Sequence, residues 1–217
     1  MCPGTVILPP MGDVSKIPGF DEGQFIVQDA AAQMAVLKMD IKEGDVCLDM
    51  CAAPGGKTTH MAERAKEVIA WDIYQHKIAL IEENAKRLSL TNVKAYVHNG
   101  KEPDEKLFGN FDAVLLDAPC SGLGIIKKKP EIKWQRKEED IKEIIKEQKN
   151  LIECAALYVK CGGTLLYSTC TINEEENEKV VDEFLENHPD FSKDGDYLNI
   201  FPTDGADGFF IAKLKRS

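Results

Sequence analysis

The stretch Asp45-Val-Cys-Leu-Asp-Met-Cys-Ala-Ala-Pro-Gly-Gly-Lys-Thr58 decides the fold. Residues 45–50 form a short apolar run of the kind that fills a buried strand. The chain then turns through Pro54, Gly55 and Gly56 into a helical pattern over 57–65. The same unit recurs downstream: apolar runs at 67–71, 93–97, 111–116 and 163–168 alternate with helical patterns at 75–89, 138–160 and 174–187, and an Ala-rich helix at 28–38 precedes them all. That order predicts an α/β fold in which a mostly parallel sheet is covered on both faces. Extended stretches at 196–201 and 208–215 add an antiparallel C-terminal hairpin at one edge, giving a seven-stranded sheet.

In doubly wound folds the turn after the first strand faces a ligand. Gly55 and Gly56 let the backbone approach a bound molecule, and the N–H groups of the helix start receive its polar atoms. Asp72, at the end of the second strand, is placed to accept both hydroxyls of a ribose. A turn that needs glycine only for packing is the plainer alternative. Gly56-Lys57-Thr58 also matches the end of the phosphate loop G-x-x-x-x-G-K-[ST], which would support an ATP-dependent protein. Cys51 stands where that loop needs its first glycine, however, and Pro54 lacks an N–H that would cradle phosphate. A nucleoside ligand without an obligatory polyphosphate remains, and S-adenosylmethionine fits it.

The fourth and fifth strands run into Asp117-Ala-Pro-Cys-Ser-Gly-Leu-Gly124 and Tyr167-Ser-Thr-Cys-Thr-Ile-Asn173. Cys120 and Cys170 therefore lie past the carboxyl ends of neighbouring strands, the edge where such sheets bind ligands. A lone cysteine there is more often packing than chemistry, but two on adjacent loops point to nucleophilic catalysis. One reaction that needs a thiolate is methylation of cytosine at C5, a carbon too weakly nucleophilic until a thiolate adds to C6. A helix capped by Asn173 would lower the Cys170 pKa, with Glu174, Glu175 and Glu176 opposing that effect.

Composition bounds the rest. Lys+Arg 27 against Asp+Glu 37 gives a formal charge of -10, which excludes nucleic-acid binding over the whole surface and confines any such contact to a local patch. Such a patch exists: between Ile125 and Lys137, Lys127, Lys128, Lys129, Lys133, Arg136 and Lys137 face a single acid, Glu131. They would hold phosphates while Trp134 stacks an unpaired base, unless this is a solvated loop that Trp134 anchors to the core. The seven cysteines are odd in number and form no repeated C-x-x-C, so neither a disulfide framework nor a zinc site is expected, and Cys47, Cys154 and Cys161 read as core fillers. With no basic-then-apolar stretch over Met1–Pro10 and no membrane-length apolar run, the expectation is a cytoplasmic, monomeric protein that binds neither membrane nor metal.

Taken together, Cys51-Ala-Ala-Pro-Gly-Gly-Lys57, Asp117-Ala-Pro-Cys-Ser-Gly-Leu-Gly124 and Ser168-Thr-Cys-Thr-Ile-Asn-Glu-Glu-Glu-Asn177 resemble the signature motifs of the Sun/RsmB family of RNA cytosine-5 methyltransferases. Gln28-Asp29, Pro130-Glu-Ile-Lys-Trp134 and Asp207-Gly-Phe-Phe-Ile-Ala-Lys213 extend the similarity over nearly the whole chain and suggest a bacterial member acting on small-subunit (16S) rRNA. The resemblance implies a Rossmann-like class I fold. In it Cys51, Ala52, Ala53, Pro54, Gly55, Gly56, Lys57 and Asp72 hold S-adenosylmethionine, and Asp117 faces both methyl donor and base. Cys170 forms the covalent adduct, while Cys120 helps remove the C5 proton or expel the enzyme. DNA cytosine methyltransferases instead use the cysteine of a Pro-Cys pair, here Cys120, and the added Ser168-Thr-Cys170 favours RNA. Where the family often has an acid to accept the adenine amino group, this chain has Asn99, which implies weaker cofactor binding. Family members carry RNA-binding sequence upstream. Residues 1–24, rich in Pro and Gly, are thus expected to be a connecting tail and 25–217 the catalytic domain; the alternatives are a binding fragment without independent catalysis and an enzyme acting on tRNA.

Overall fold

The computed structural model of the chain describes residues 5–7, 12–202 and 206–217; the expectations for Cys2 and for the rest of residues 1–4 and 8–11 lie outside them. One sheet contains β1 (Val46–Asp49), β2 (Glu67–Asp72), β3 (Val93–Val97), β4 (Phe111–Asp117), β5 (Val159–Thr169), β6 (Phe191–Lys193), β7 (Leu198–Ile200) and β8 (Phe209–Arg216). Its order is β3-β2-β1-β4-β5-β8-β6, with β7 also paired to β8. Strands β1 to β5 pair in parallel, and β8 runs antiparallel to β5. Strand β6 lies opposite Leu214–Arg216 and β7 opposite Phe209–Ile211. Because β5 takes the other edge of β8, these two short strands share one edge end to end. The sheet is thus seven positions wide, the last position being split in two.

Helices α1 (Ala30–Lys38), α2 (Gly56–Ala62), α3 (Gln75–Arg87), α4 (Ile132–Gln135), α5 (Glu138–Tyr158) and α6 (Glu178–Asn187) complete the fold. Strand side chains alternate between faces. Cys47, Leu115, Leu166 and Ile211 pack with Ala31, Ala35 and Met61 of α1 and α2. Leu48, Val114, Leu116, Leu165 and Tyr167 pack on the other face with Leu151, Ile152, Val181 and Phe184 of α5 and α6. Each such side chain contributes about 1.5–3 kcal/mol on burial, so the sheet's core clamps its central strands and fixes where their carboxyl ends emerge.

Three boundaries differ from the sequence expectation. The helix expected over 138–160 stops at Tyr158, and β5 begins at once with the β-branched Val159. Val159 pairs with Phe111, the register then shifts, and pairing resumes at Ala113 with Thr164, so the segment between bulges out with Gly162 at φ 74. The helix expected over 174–187 is a 3-10 turn at Glu174–Glu176 followed by α6, because Glu176 and Asn177 turn inward and are fully buried. Residues 12–24, expected as a connecting tail, carry a 3-10 turn at Val14–Lys16 and are held to α3. There Arg87 donates to the carbonyls of Phe20 and Phe25 and stacks on the Phe20 ring at 4.0 Å. Of the three cysteines expected as core fillers, Cys47 is buried and Cys154 half-buried, but Cys161 lies exposed in the β5 bulge. Among the described residues no helix is long and apolar enough to cross a membrane, and no cluster of three or more His, Cys, Asp or Glu side chains could hold a metal ion.

Candidate active site

Four strands deliver a polar residue to the same edge: Asp49 ends β1, Asp72 ends β2, Asp117 ends β4 and Thr169 ends β5. Beyond β1 the chain turns at Ala52, whose N–H donates to the carbonyl of Trp71, and the Gly55 N–H closes on the Ala52 carbonyl at 2.8 Å. Gly55 sits at φ 102, where an L side chain is strained, and a Cβ there would approach the Ile81 Cα of α3 to 3.2 Å. Asn84 of α3 donates to the Pro54 carbonyl, so Cys51 to Gly56 are braced from below.

Asp49 is fully buried. Its Oδ2 accepts from the Thr58 hydroxyl at 2.7 Å, whereas Oδ1 has no partner within the protein. Burial, with the nearby Asp117 carboxylate adding to it, raises its pKa to about 7 against the opposing Thr58 bond. Nearby, the buried Gln28 Nε2 is also without a partner and is the only atom that a Cβ on Gly56 would meet. Two orphaned polar atoms around a glycine cradle are what a small polar ligand with amino or carboxylate groups would satisfy. Asp72, nearly buried, keeps one flank towards Lys77 at 3.4 Å and accepts from the Tyr74 N–H. Asn99 lies less openly than expected: its Oδ1 accepts from the Lys101 N–H at 3.2 Å and its Nδ2 donates to Glu102.

The two cysteines meet. Cys120 Sγ lies 3.2 Å from Cys170 Sγ, and the two protons titrate unequally. The hydrogen bond from Cys120 lowers the Cys170 pKa against burial and the Asp117 charge, with Lys57 adding to the lowering. The same bond, together with burial, raises Cys120 well above an ordinary thiol. Of the two thiols, Cys170 is the one whose ionisation is favoured and Cys120 the one whose ionisation is disfavoured. The helix start expected to assist Cys170 is not the cause, since Asn173 caps only a 3-10 turn. The Cys51 thiol is pushed up by burial. Asp117 is bound from both sides: Lys57 Nζ contacts Oδ2 at 2.7 Å and the Ser168 hydroxyl donates to Oδ1 at 2.7 Å. Burial disfavours the Lys57 charge, but the Asp117 carboxylate outweighs it and raises the lysine's pKa. Lys57, Asp117 and Ser168 therefore join the cofactor-side loop to both cysteine loops.

The basic segment divides. Lys127, Lys129 and Lys133 are exposed, and Trp134, at 82% exposure, does not anchor the loop to the core. Lys133 Nζ lies 5.3 Å from the Trp134 ring. Lys128 is held between Asp29 and Asp207, at 3.0 and 2.7 Å, and Arg136 donates to the Ser121 carbonyl. These two fasten the segment to the cysteine loop and to α1, a role that their positive charge alone did not disclose.

Sequence reasoning missed the residues behind the cysteines: Ser121, Gln148, Thr171, Glu176 and Asn177, all buried. The spacing Asn173-x-x-Glu176 was a signal, since it is that of a capping box. Glu176 instead points inward, and its side chain accepts from Asn173 Nδ2 at 3.0 Å and from the Ser121 N–H at 2.7 Å.

Residues 36–215 match the family model described as 16S rRNA methyltransferase RsmB/F. The chain is 40% identical over 214 residues, 94% of its length, to Ribosomal RNA small subunit methyltransferase B of Pectobacterium carotovorum subsp. carotovorum (strain PC1), and 42% identical over 212 residues to the protein of the same name in Yersinia pseudotuberculosis serotype O:1b (strain IP 31758). It spans about half the length of each, 50% and 49%. Among solved structures, that of NSun6 from Pyrococcus horikoshii with SFG superimposes with a TM-score of 0.85 at 32% identity, covering 95% of this chain and 56% of that one.

Proposed function

Because the chain belongs to the 16S rRNA methyltransferase RsmB/F family, we propose that it is a catalytic domain, residues 25–217, that methylates C5 of a cytosine in RNA, with small-subunit rRNA as substrate. The observation that carries this reading is the unequal thiol pair: a lowered Cys170 and a raised Cys120 in contact at 3.2 Å. Residues 51–57 with Asp49, Asp72 and Gln28 fit S-adenosylmethionine, whose ammonium and hydroxyls answer the orphaned Asp49 Oδ1 and the Asp72 carboxylate. When bound, S-adenosylmethionine supplies an electrophilic methyl group.

The protein's own groups do the rest. The Cys170 thiolate adds to C6, forming the S–C6 bond and placing an electron pair at C5. Lys57 and Ser168 hold Asp117 fixed beside that thiolate and against the base. Once C5 has gained its methyl group, its proton passes to water, the C5–H electron pair forms the C5=C6 bond, and the S–C6 bond breaks so that Cys170 departs as a thiolate beside Cys120. Cys120, 3.2 Å from Cys170 and with its ionisation disfavoured, is the group that assists the expulsion of Cys170. Reaching C6 requires an unstacked cytosine, and the exposed Lys127, Lys129, Lys133 and Trp134, on the segment that follows the Cys120 loop, are the groups that would hold the RNA.

The test uses RNA carrying 5-fluorocytosine, whose C5 fluorine blocks elimination, with covalent adducts read by denaturing gel and mass spectrometry. Wild type and Cys120→Ala are expected to form the adduct and Cys170→Ala to form none. On unmodified RNA, Cys120→Ala should accumulate adduct that wild type releases. Loss of trapping in Cys120→Ala alone would reverse the two roles, and trapping on tRNA in preference to small-subunit rRNA would change the substrate.

A further inference from the structure

Each cysteine is gripped on both sides by residues that share one buried carboxylate. On the Cys120 loop, the Pro119 carbonyl accepts from Gln148 Nε2 of α5 at 2.9 Å, while the Ser121 N–H and hydroxyl donate to the two oxygens of Glu176 at 2.7 and 2.6 Å. Gln148 Nε2 also reaches Glu176 Oε2 at 3.2 Å. On the Cys170 loop, the Thr171 hydroxyl lies 2.9 Å from Ser121 Oγ, and since that oxygen gives its proton to Glu176, Thr171 is the donor. Asn177, next in sequence to Glu176, accepts from the Thr169 hydroxyl at 2.6 Å and donates to the Thr171 carbonyl at 3.1 Å. The Tyr167 hydroxyl donates to the Glu176 carbonyl at 2.7 Å.

Glu176 has no solvent exposure and, among the described residues, no cationic partner within ion-pair distance. N–H and O–H donors from Ser121, Gln148 and Asn173 take the place of a counter-ion, an arrangement that fixes geometry because the Ser121 N–H and hydroxyl, both buried, would lose their acceptor without it. We propose that Glu176 is the positioning residue of the active site: its carboxylate, with Asn177, sets the Cys120 loop against the Cys170 loop and thereby creates the thiol pair. It touches neither substrate nor cofactor and acts through the two sulfurs. This inference rests on the methyltransferase reading above for its kinetic consequence, but not for its chemical one.

The chemical consequence is read without RNA or cofactor. Iodoacetamide alkylation of Cys170, resolved by site in the mass spectrometer and followed against pH, reports the midpoint of that thiol in the intact chain. In Glu176→Gln, which keeps the volume but puts an NH2 group in place of one of the two accepting oxygens, the midpoint is expected to rise towards that of a free cysteine, about 8.5. Ser121→Ala removes one donor and leaves the carboxylate in place, so it is expected to fold as wild type and to shift the midpoint in the same direction by less. In methyl transfer, Glu176→Gln should lower kcat about 100-fold, the loss that a misplacement of ~1 Å produces, with KM for RNA and for S-adenosylmethionine within about threefold of wild type. Glu176→Asp should recover part of the midpoint shift and part of kcat. An unmoved Cys170 midpoint in both Ser121→Ala and Glu176→Gln would overturn the proposal. If Glu176→Gln does not fold, an unmoved midpoint in Ser121→Ala does so alone. A shifted midpoint without methyl transfer in wild type would keep the positioning role and reject the reaction instead.

Discussion

Asp49 shows what a single residue concedes to the site. A carboxyl group that titrates near 7 when folded and near 3.8 when unfolded stays protonated in the native state between those values. Its contribution to stability is full below the unfolded value and is lost as pH rises through the folded one, at a slope of at most about 1.4 kcal/mol per pH unit. His60 opposes this trend, since burial lowers its pKa and the folded state disfavours its charge as pH falls below 6.5. The informative measurement is therefore the difference between wild type and Asp49→Asn: melting temperatures at pH 5 and 7 should converge more in the variant than in wild type, and equal slopes would remove Asp49 as the cause. At Asn99 the side-chain oxygen is engaged by Lys101, so Asn99→Asp must compete with an existing turn. It is still expected to tighten S-adenosylmethionine binding, and calorimetry showing no gain would remove Asn99 from the adenine site. At this scale the sequence drew attention to Cys120, Cys170, Asp72 and Asp117 because each falls at or just past the carboxyl end of a strand, but it gave no role to Asp49 or Ser168, whose partners only the fold brings within reach. It hid Glu176, because one glutamate in a run of three looks solvated until the fold turns it inward.

Among the elements, the segment leading into β8 is joined to both cysteine loops by a backbone bridge. The Gly124 N–H donates to the Cys170 carbonyl and the Gly208 N–H to the Gly124 carbonyl. A Cβ on Gly124 would come within 2.1 Å of the Gly208 oxygen, and one on Gly208 within 2.6 Å of the Gly124 Cα. Gly124→Ala is expected to cost roughly 1–3 kcal/mol in urea denaturation, the range for inserting a methyl group where nothing yields. Gly208→Ala should add less than its own single cost on top, because both strain one contact. Additive losses would show two independent sites. The central strands and the longer helices were legible from periodicity, since burial on both faces leaves an apolar run, whereas the three-residue β6 was not expected at all. The boundary at Tyr158–Val159 was not, because a helix and a strand that abut without a turn residue leave no punctuation to read. Nor was α4, whose four residues lie inside a segment that reads only as charge.

Taken whole, the chain places its chemistry at the carboxyl ends of a seven-position sheet and follows the Cys120 loop with the exposed Lys127, Lys129 and Lys133, on a body with a formal charge of -10. With Lys128 occupied by Asp29 and Asp207, the exposed Lys127 and Lys129 are the charges to remove. Replacing both by Gln should flatten the dependence of log K on log salt by about 1 to 2 for single-stranded RNA, and an unchanged slope would dissociate the segment from binding. Segregated charge also acts before any contact forms. The net charge of -10 repels a polyanion over most approaches, whereas Lys127, Lys129 and Lys133 attract it locally, so encounters on that segment are favoured over others. The molecule therefore selects its orientation during the encounter, and added salt should slow association far more than it hastens release.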